Sequence, residues 1–390
     1  MFPIIGKHNT AMVYANQVDQ TSYAQVLQMC NLEELKNSRI RMMPDMHASE
    51  GCTVGTSMTI SGSADPAYIG GDIGCGMQVY CLNDRDIDFE ALDRAVREKI
   101  PSGAAIHDHA HARLKELPID DLYCFGALRH ETVARSLGTL GGGNHFIEVA
   151  RGMEDGRLYL VIHSGSRRLG RDVALYYMKA AHFAAQGLTM AEVRKMKSVP
   201  YKGESAFLSG ELLQEYLHDM TIAVDYALLS REIMAQALVE ALNLDVLDRF
   251  ATIHNYIDSK NNILRKGAVS AQKGEKLIIP INMRDGSLIC IGKGNEEWNY
   301  TAPHGSGRVM SRSEAKQNIS LDEYRDAMSG IFSTSISEST LDESPMAYRP
   351  IDDILSTIEP TADVAEIVTP VYNFKASKAV LDEETMDGKD

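Results

Sequence analysis

The chain is short of cysteine, tryptophan and long apolar runs. In 390 residues it has six cysteines and one tryptophan, and aromatic residues make up 7%. Cys30, Cys52, Cys75, Cys81, Cys124 and Cys290 are scattered without paired spacing. In a large chain this argues against a disulfide framework and leaves metal binding, catalysis or simple burial. No apolar run approaches the length that crosses a bilayer, so no membrane span is expected. The start, MFPIIGKHNTAMVYANQVD, has no basic region followed by a long apolar stretch, so no secretory leader is expected and the expected location is cytoplasmic. Positive charge is also in deficit, with Lys+Arg 39 against Asp+Glu 54, a net −15. That balance disfavours binding a polyanion across the whole surface. It leaves open a local positive field built from metals and a few arginines.

What is present is a soluble, core-forming composition, 44% hydrophobic and 24% charged, in a chain long enough to bury a sizeable interior. Apolar residues recur three or four apart at Phe89 to Ile100, Arg171 to Lys197, Phe207 to Ala241 and Leu321 to Phe332, which predicts helices there. Short β-type runs occur at Met77 to Cys81, Leu158 to Ile162, Phe250 to Ile253, Lys276 to Ile279 and Ser287 to Ile291. The two kinds are interspersed without a βαβ rhythm, so the expected class is α+β, as mixed sheets flanked by helices. There is no internal repeat and no evident linker. One domain is expected over residues 1–378, with 379–390 an acidic, disordered tail.

The chemistry concentrates in five segments. Gly70-Gly71-Asp72-Ile73-Gly74-Cys75-Gly76 offers a carboxylate and a thiol from one tight loop; alone, it reads equally as a glycine turn with a buried Cys. Gly141 to Gly143, then Asn144, His145 and Glu148, could cradle a phosphate on backbone N–H groups and read a base edge with the carboxylate. His163 leaves an apolar run for the loop Ser164 to Arg168, and His254 does the same before Asn255. His304 heads the small-residue loop Gly305, Ser306, Gly307, with Arg308 and Arg312 beyond it. If a helix ran on from Val309, those two arginines would share a face. A neutral imidazole can attack phosphorus where cations stabilise the transferring group. His47 reads as a loop cap or a support for some other ligand. His107, His109 and His111 read as a solvated loop and Tyr176 to Met178 as core.

Taken in order, MPDMH, GGDIGCGM, LGTLGGGNHFIE, IHSGSRRLG, IHNY, RKGAVSA, GNEE and HGSGRVMSR resemble the RtcB family of GTP-dependent RNA ligases, from Met43 to Lys375. The resemblance implies that Asp72, Cys75, His145, His163 and His254 bind one or two Mn²⁺ ions, with the Cys75 thiolate shared. It implies that His304 is the guanylylated nucleophile. It also implies that Asn144, Glu148, Asn255, the Asn282 loop, Ser287, Gly305, Ser306, Gly307 and Lys375 hold GTP, with Arg167, Arg308 and Arg312 toward RNA phosphates. Thiolate and imidazole would by softness favour zinc, so manganese comes from the resemblance. The implied reaction joins RNA 3′-phosphate or 2′,3′-cyclic phosphate ends to 5′-hydroxyl ends in repair or tRNA splicing. Acidity then implies weak non-specific RNA binding, concentrated at strand ends.

The chain departs from the family pattern in three places. The usual Pro-Gly-Ser-Met-Gly reads Pro280-Ile281-Asn282-Met283-Arg284, Ala48-Ser49-Glu50-Gly51 follows His47, and Arg168 stands for a common glycine. These suggest a divergent subgroup with a specialised RNA. Two other functions stay open: a metal-dependent phosphoesterase opening cyclic phosphates, and an RNA-end-binding factor, which would have no use for His304. Which RNA is used, and whether a protein activator assists, is not written in the sequence.

Overall fold

Five neighbouring strands of one sheet end at a common rim, and that rim organises the molecule. The computed structural model describes residues 1–188, 192 and 205–376. Seven strands form an antiparallel sheet in the order Val246–Ile253, Gly76–Leu82, Leu158–Ser164, Phe146–Gly152, Ala362–Lys375, Gly286–Gly292, Lys276–Asn282. Gly76 pairs with both Ser164 and Ile253, His163 pairs with Phe146, and Phe146 pairs with Lys375. Antiparallel pairing thus brings the start of one strand beside the end of the next.

A second, six-stranded sheet runs Phe2–Ile5, Thr10–Val13, Ile40–His47, Val54–Thr59, Ile263–Lys266, Asn255–Asp258, with Thr10–Val13 and Ile40–His47 parallel. The chain passes from the larger sheet to the smaller at one residue, His254. A 33-residue helix, Gly210–Leu242, backs both sheets. Its Tyr216, Met220 and Tyr226 pack in the core beside the smaller sheet, and Met234, Ala235 and Leu238 in that of the larger. The fold is α+β, one domain, as expected. No helix among the described residues is long and apolar enough to cross a membrane.

All five expected strands are found, lengthened by residues whose side chains gave no alternation. Three expected helices shift at their ends. Arg167–Ala185 begins earlier than Arg171 and ends before Gly187, which turns the chain at φ 77; the expected span beyond Leu188 lies outside the described residues apart from Glu192. Gly210–Leu242 starts after a short strand, Leu208–Ser209, that pairs with Ser63–Ala64. Leu321–Ala327 stops five residues before Phe332 because Gly330 turns the chain at φ 88. No helix runs from Val309. Ser311 and Glu314 form a capping box that starts one at Arg312 instead. The expected tail 379–390 lies outside the described residues.

Candidate active site

Five side chains expected to meet do meet, at the rim. Asp72 and Cys75 lie on the loop leading into Gly76–Leu82, His145 directly precedes Phe146–Gly152, His163 is near the end of Leu158–Ser164, and His254 follows Val246–Ile253. Donor atoms of Asp72, Cys75 and His145 lie within 4.8 Å of one another, as do those of Cys75, His163 and His254. Cys75 belongs to both groups. Its Sγ is 3.5 Å from His145 Nε2 and 3.3 Å from His163 Nε2, and His163 Nε2 is 3.4 Å from His254 Nε2. Two ligands of one tetrahedral ion, at bonds of about 2.0–2.3 Å, stand roughly 3.5 Å apart. The donor set therefore fits a divalent cation.

Protonation agrees. His145 Nδ1–H donates to the Leu140 carbonyl at 2.8 Å and His163 Nδ1–H to the Asn144 carbonyl at 3.2 Å. Both Nε2 lone pairs therefore face one thiol, which has a single proton to give. Burial lowers the pKa of His145 and pushes those of His163 and His254 well down, keeping the rings neutral. Burial, and then the Asp72 carboxylate, push the Cys75 thiol well up, so a cation must displace its proton on binding. His254 Nδ1 is buried without a partner.

His304 stands beside this cluster, its ring centroid 4.8 Å from that of His254. A fully buried carboxylate, Asp45, holds it. Asp45 Oδ2 accepts from His304 Nδ1–H at 2.7 Å, from the His304 backbone N–H at 3.1 Å and from the Gly305 N–H at 3.2 Å. With Nδ1 committed as donor, Nε2 carries the lone pair. Gly267, at φ 57, lies so close that a Cβ there would sit 3.2 Å from His304 Cε1 and 2.1 Å from Val54. The cleft beside the ring holds about 810 Å³ of space between atoms, open solvent included, and is bordered by Asn144, Glu148, Asn282, Ser287, Gly305 to Gly307, Arg308, Arg312 and Lys375 among others.

The family model described as tRNA-splicing ligase RtcB matches residues 25–127 and 126–376. This chain belongs to the RtcB family. The RNA-splicing ligase RtcB of Escherichia coli (strain K12) is 29% identical over 367 residues, spanning 84% of this chain and 87% of that protein. The tRNA-splicing ligase RtcB of Aeropyrum pernix is 27% identical over 402 residues, spanning 80% and 82%.

Within this RtcB-family chain, two sequence candidates sit away from the cleft, Asn255 and Arg167, and a third, Asn282, borders it with its polar atoms already spent. Asn255 does not border the cleft; its amide donates to the Asp72 carbonyl at 3.2 Å and accepts from Gly267 N–H at 2.9 Å, so it braces the Asp72 loop against the His304 side. Arg167 packs against Gly141, where a Cβ would come within 1.9 Å of its guanidinium, and it donates to Thr139 and Gly103. Asn282 spends its side chain inside its own turn, accepting from Arg284 and Asp285 N–H at 2.9 and 2.8 Å and donating to the Asp285 carboxylate at 2.8 Å.

Arg308 and Arg312 do border the cleft, without sharing a helix. Arg308 donates to Tyr348 Oη at 3.0 Å and the Asp342 carbonyl at 2.6 Å. Arg312 pairs with the Asp342 carboxylate at 2.6 Å and with Glu343, and Lys375 also pairs with Glu343. Burial alone would raise the Glu343 carboxyl, but Lys375 and Arg312 hold it at about 2. Asp45, Glu343 and Asn373 are site residues that sequence reasoning passed over. Asp45 lay in plain view inside Pro44-Asp45-Met46-His47, where His47 Nδ1–H donates to the Asp45 carbonyl, 3.0 Å away. Glu343 and Asn373 carried no local signal.

Proposed function

We propose that this RtcB-family chain is an RNA ligase that joins 3′-phosphate or 2′,3′-cyclic phosphate ends to 5′-hydroxyl ends through a His304–GMP adduct. The observation that carries this reading is the Asp45–His304 pair. A buried carboxylate fixes one tautomer and leaves Nε2 as a nucleophile on the cleft wall, beside a cation-type cluster.

His304 Nε2 attacks the α-phosphorus of GTP, the bond to the β-phosphate oxygen breaks, and pyrophosphate leaves. The ring gains positive charge as the P–N bond forms, and Asp45 stabilises it through Nδ1–H. An oxygen of the RNA 3′-phosphate then attacks the guanylyl phosphorus; the P–N bond breaks and Nε2 regains its lone pair. The 5′-hydroxyl oxygen attacks the activated 3′-phosphorus, losing its proton as GMP departs. A cyclic phosphate end is first opened by water. Divalent ions held by Cys75 with Asp72, His145, His163 and His254 would draw off charge from the phosphoryl oxygens. We take the ion to be Mn²⁺ on family grounds. Asn144, Ser287, Lys375 and the loop Gly305 to Gly307 are proposed to hold the nucleotide, with Glu148 accepting from guanine. A reducing cytoplasm belongs to the proposal, because Cys75 must remain a free thiol.

The test is intact-mass analysis after incubation with GTP and Mn²⁺. One added GMP is expected on the wild type and none on His304→Ala. If the wild type gains no mass, the adduct route is wrong. Turnover of a 2′,3′-cyclic phosphate without GTP would then favour a phosphoesterase.

A further inference from the structure

Deep in the cleft, three buried polar groups have no partner in the protein. They are Glu148 Oε1, Ser287 Oγ and Asn373 Oδ1, on side chains 3%, 1% and 1% exposed. Asn373 and Glu148 are direct partners across the antiparallel pair Ala362–Lys375 and Phe146–Gly152. Asn373 Nδ2 donates to Glu148 Oε2 at 2.8 Å. With the Glu148 carboxyl ionised, as it must be to accept from a base edge, that bond settles which way the amide faces, since its oxygen would otherwise confront a carboxylate oxygen. It also leaves one acceptor on each side chain with nothing to accept from. Buried acceptors are rarely left so, and three unpartnered groups bordering one cleft call for a ligand edge that supplies two donors and an acceptor.

Resting on the reading that this cleft takes a guanine nucleotide, we propose that Asn373 accepts a hydrogen bond from the 2-amino group of the base, so that the chain tells guanine from hypoxanthine. Guanine offers N1–H and the 2-amino N–H groups along one edge, with O6 as an acceptor beside them. The two free acceptors of Glu148 and Asn373 match the donors, and the Ser287 hydroxyl matches O6. Hypoxanthine has N1–H and O6 but nothing at position 2, so one buried acceptor stays unpaired. Adenine presents a donor where guanine has O6 and an acceptor at N1, which faces the carboxylate badly. Sites built to hydrogen-bond a group reject analogues lacking it far more strongly than apolar pockets reject a missing methylene.

The competing account is that Asn373 only steadies Glu148. Calorimetry of GMP and IMP binding to the full chain with Mn²⁺ separates the two. The wild type is expected to bind GMP at least about tenfold more tightly than IMP. In Asn373→Ala that preference is expected to shrink several-fold, because GMP loses more than IMP does. If the wild type binds the two equally, or if Asn373→Ala weakens both by the same factor, the assignment of Asn373 fails while the guanine site stands. If the wild type binds neither, the guanine reading itself fails and this assignment falls with it. The wild-type comparison needs no variant, so it decides even if Asn373→Ala does not fold.

Discussion

At one side of the cleft, three imidazoles and a thiol crowd together with too few protons to satisfy one another. At the other, Arg308, Arg312 and Lys375 are already matched by Asp342 and Glu343. The first region has the donor set of a cation site. The second is nearly neutral, so its arginines do little to attract an anion from afar. On the proposed reading, a chain of net charge −15 would face phosphates with charge that arrives with the ion and does not reside in the surface.

The largest effect should come from the shared donor. Cys75→Ala is expected to weaken divalent-cation binding at least about 100-fold, since both donor groups lose it; metal content after dialysis measures this. Asp45→Asn is expected to leave metal binding within about twofold while slowing His304 guanylylation about 10³-fold, as when an imidazole loses the carboxylate that holds its tautomer. Equal losses in both measurements would erase the distinction between the ion-holding groups and the nucleophile.

Glu343→Gln probes the self-satisfied side. It leaves Lys375 without its buried counter-charge and Arg312 with Asp342 alone, and is expected to cost about 3 kcal/mol of stability in denaturant unfolding. The wild-type carboxyl sits at about 2, below its ordinary 4.5. Its contribution is therefore present above about pH 4.5 and lost as pH falls toward 2, and the variant should show no such slope from this position. Glu148 has the opposite sign. Burial raises its carboxyl to about 8, so at pH 7 the empty site holds a proton that a guanine edge must displace. GMP affinity is expected to rise about tenfold between pH 7 and 9, with proton uptake by buffer visible in calorimetry. The smallest effect is expected at Asn282, whose polar atoms are spent in its own turn. Asn282→Ala should change GMP affinity less than about twofold.

How far the sequence could be read follows from what each feature depends on. The ligand loops were legible because Asp72, Cys75, His163 and His254 each sit at the margin of an apolar run, and strand ends gather where strands pair antiparallel. The α+β class followed from the same runs. The strand Ala362–Lys375 was hidden: Pro370 breaks its ladder at a register shift, and its burial pattern alternates poorly. With that strand unseen, Asn373 could not be set opposite Glu148. Glu343 lies in a serine-rich stretch whose position is decided by tertiary packing alone. Asn255 was assigned to the nucleotide by the resemblance; its amide also joins Asp72 to Gly267, a contact spanning two sheets that no local pattern encodes.

His254 is the one residue at which the backbone leaves the seven-stranded sheet for the six-stranded one. Its ring therefore answers to two frameworks at once, whereas Cys75 and His163 answer to one. A substitution that tilts either framework can therefore move that imidazole, and its alignment gauges how truly the two sheets are seated.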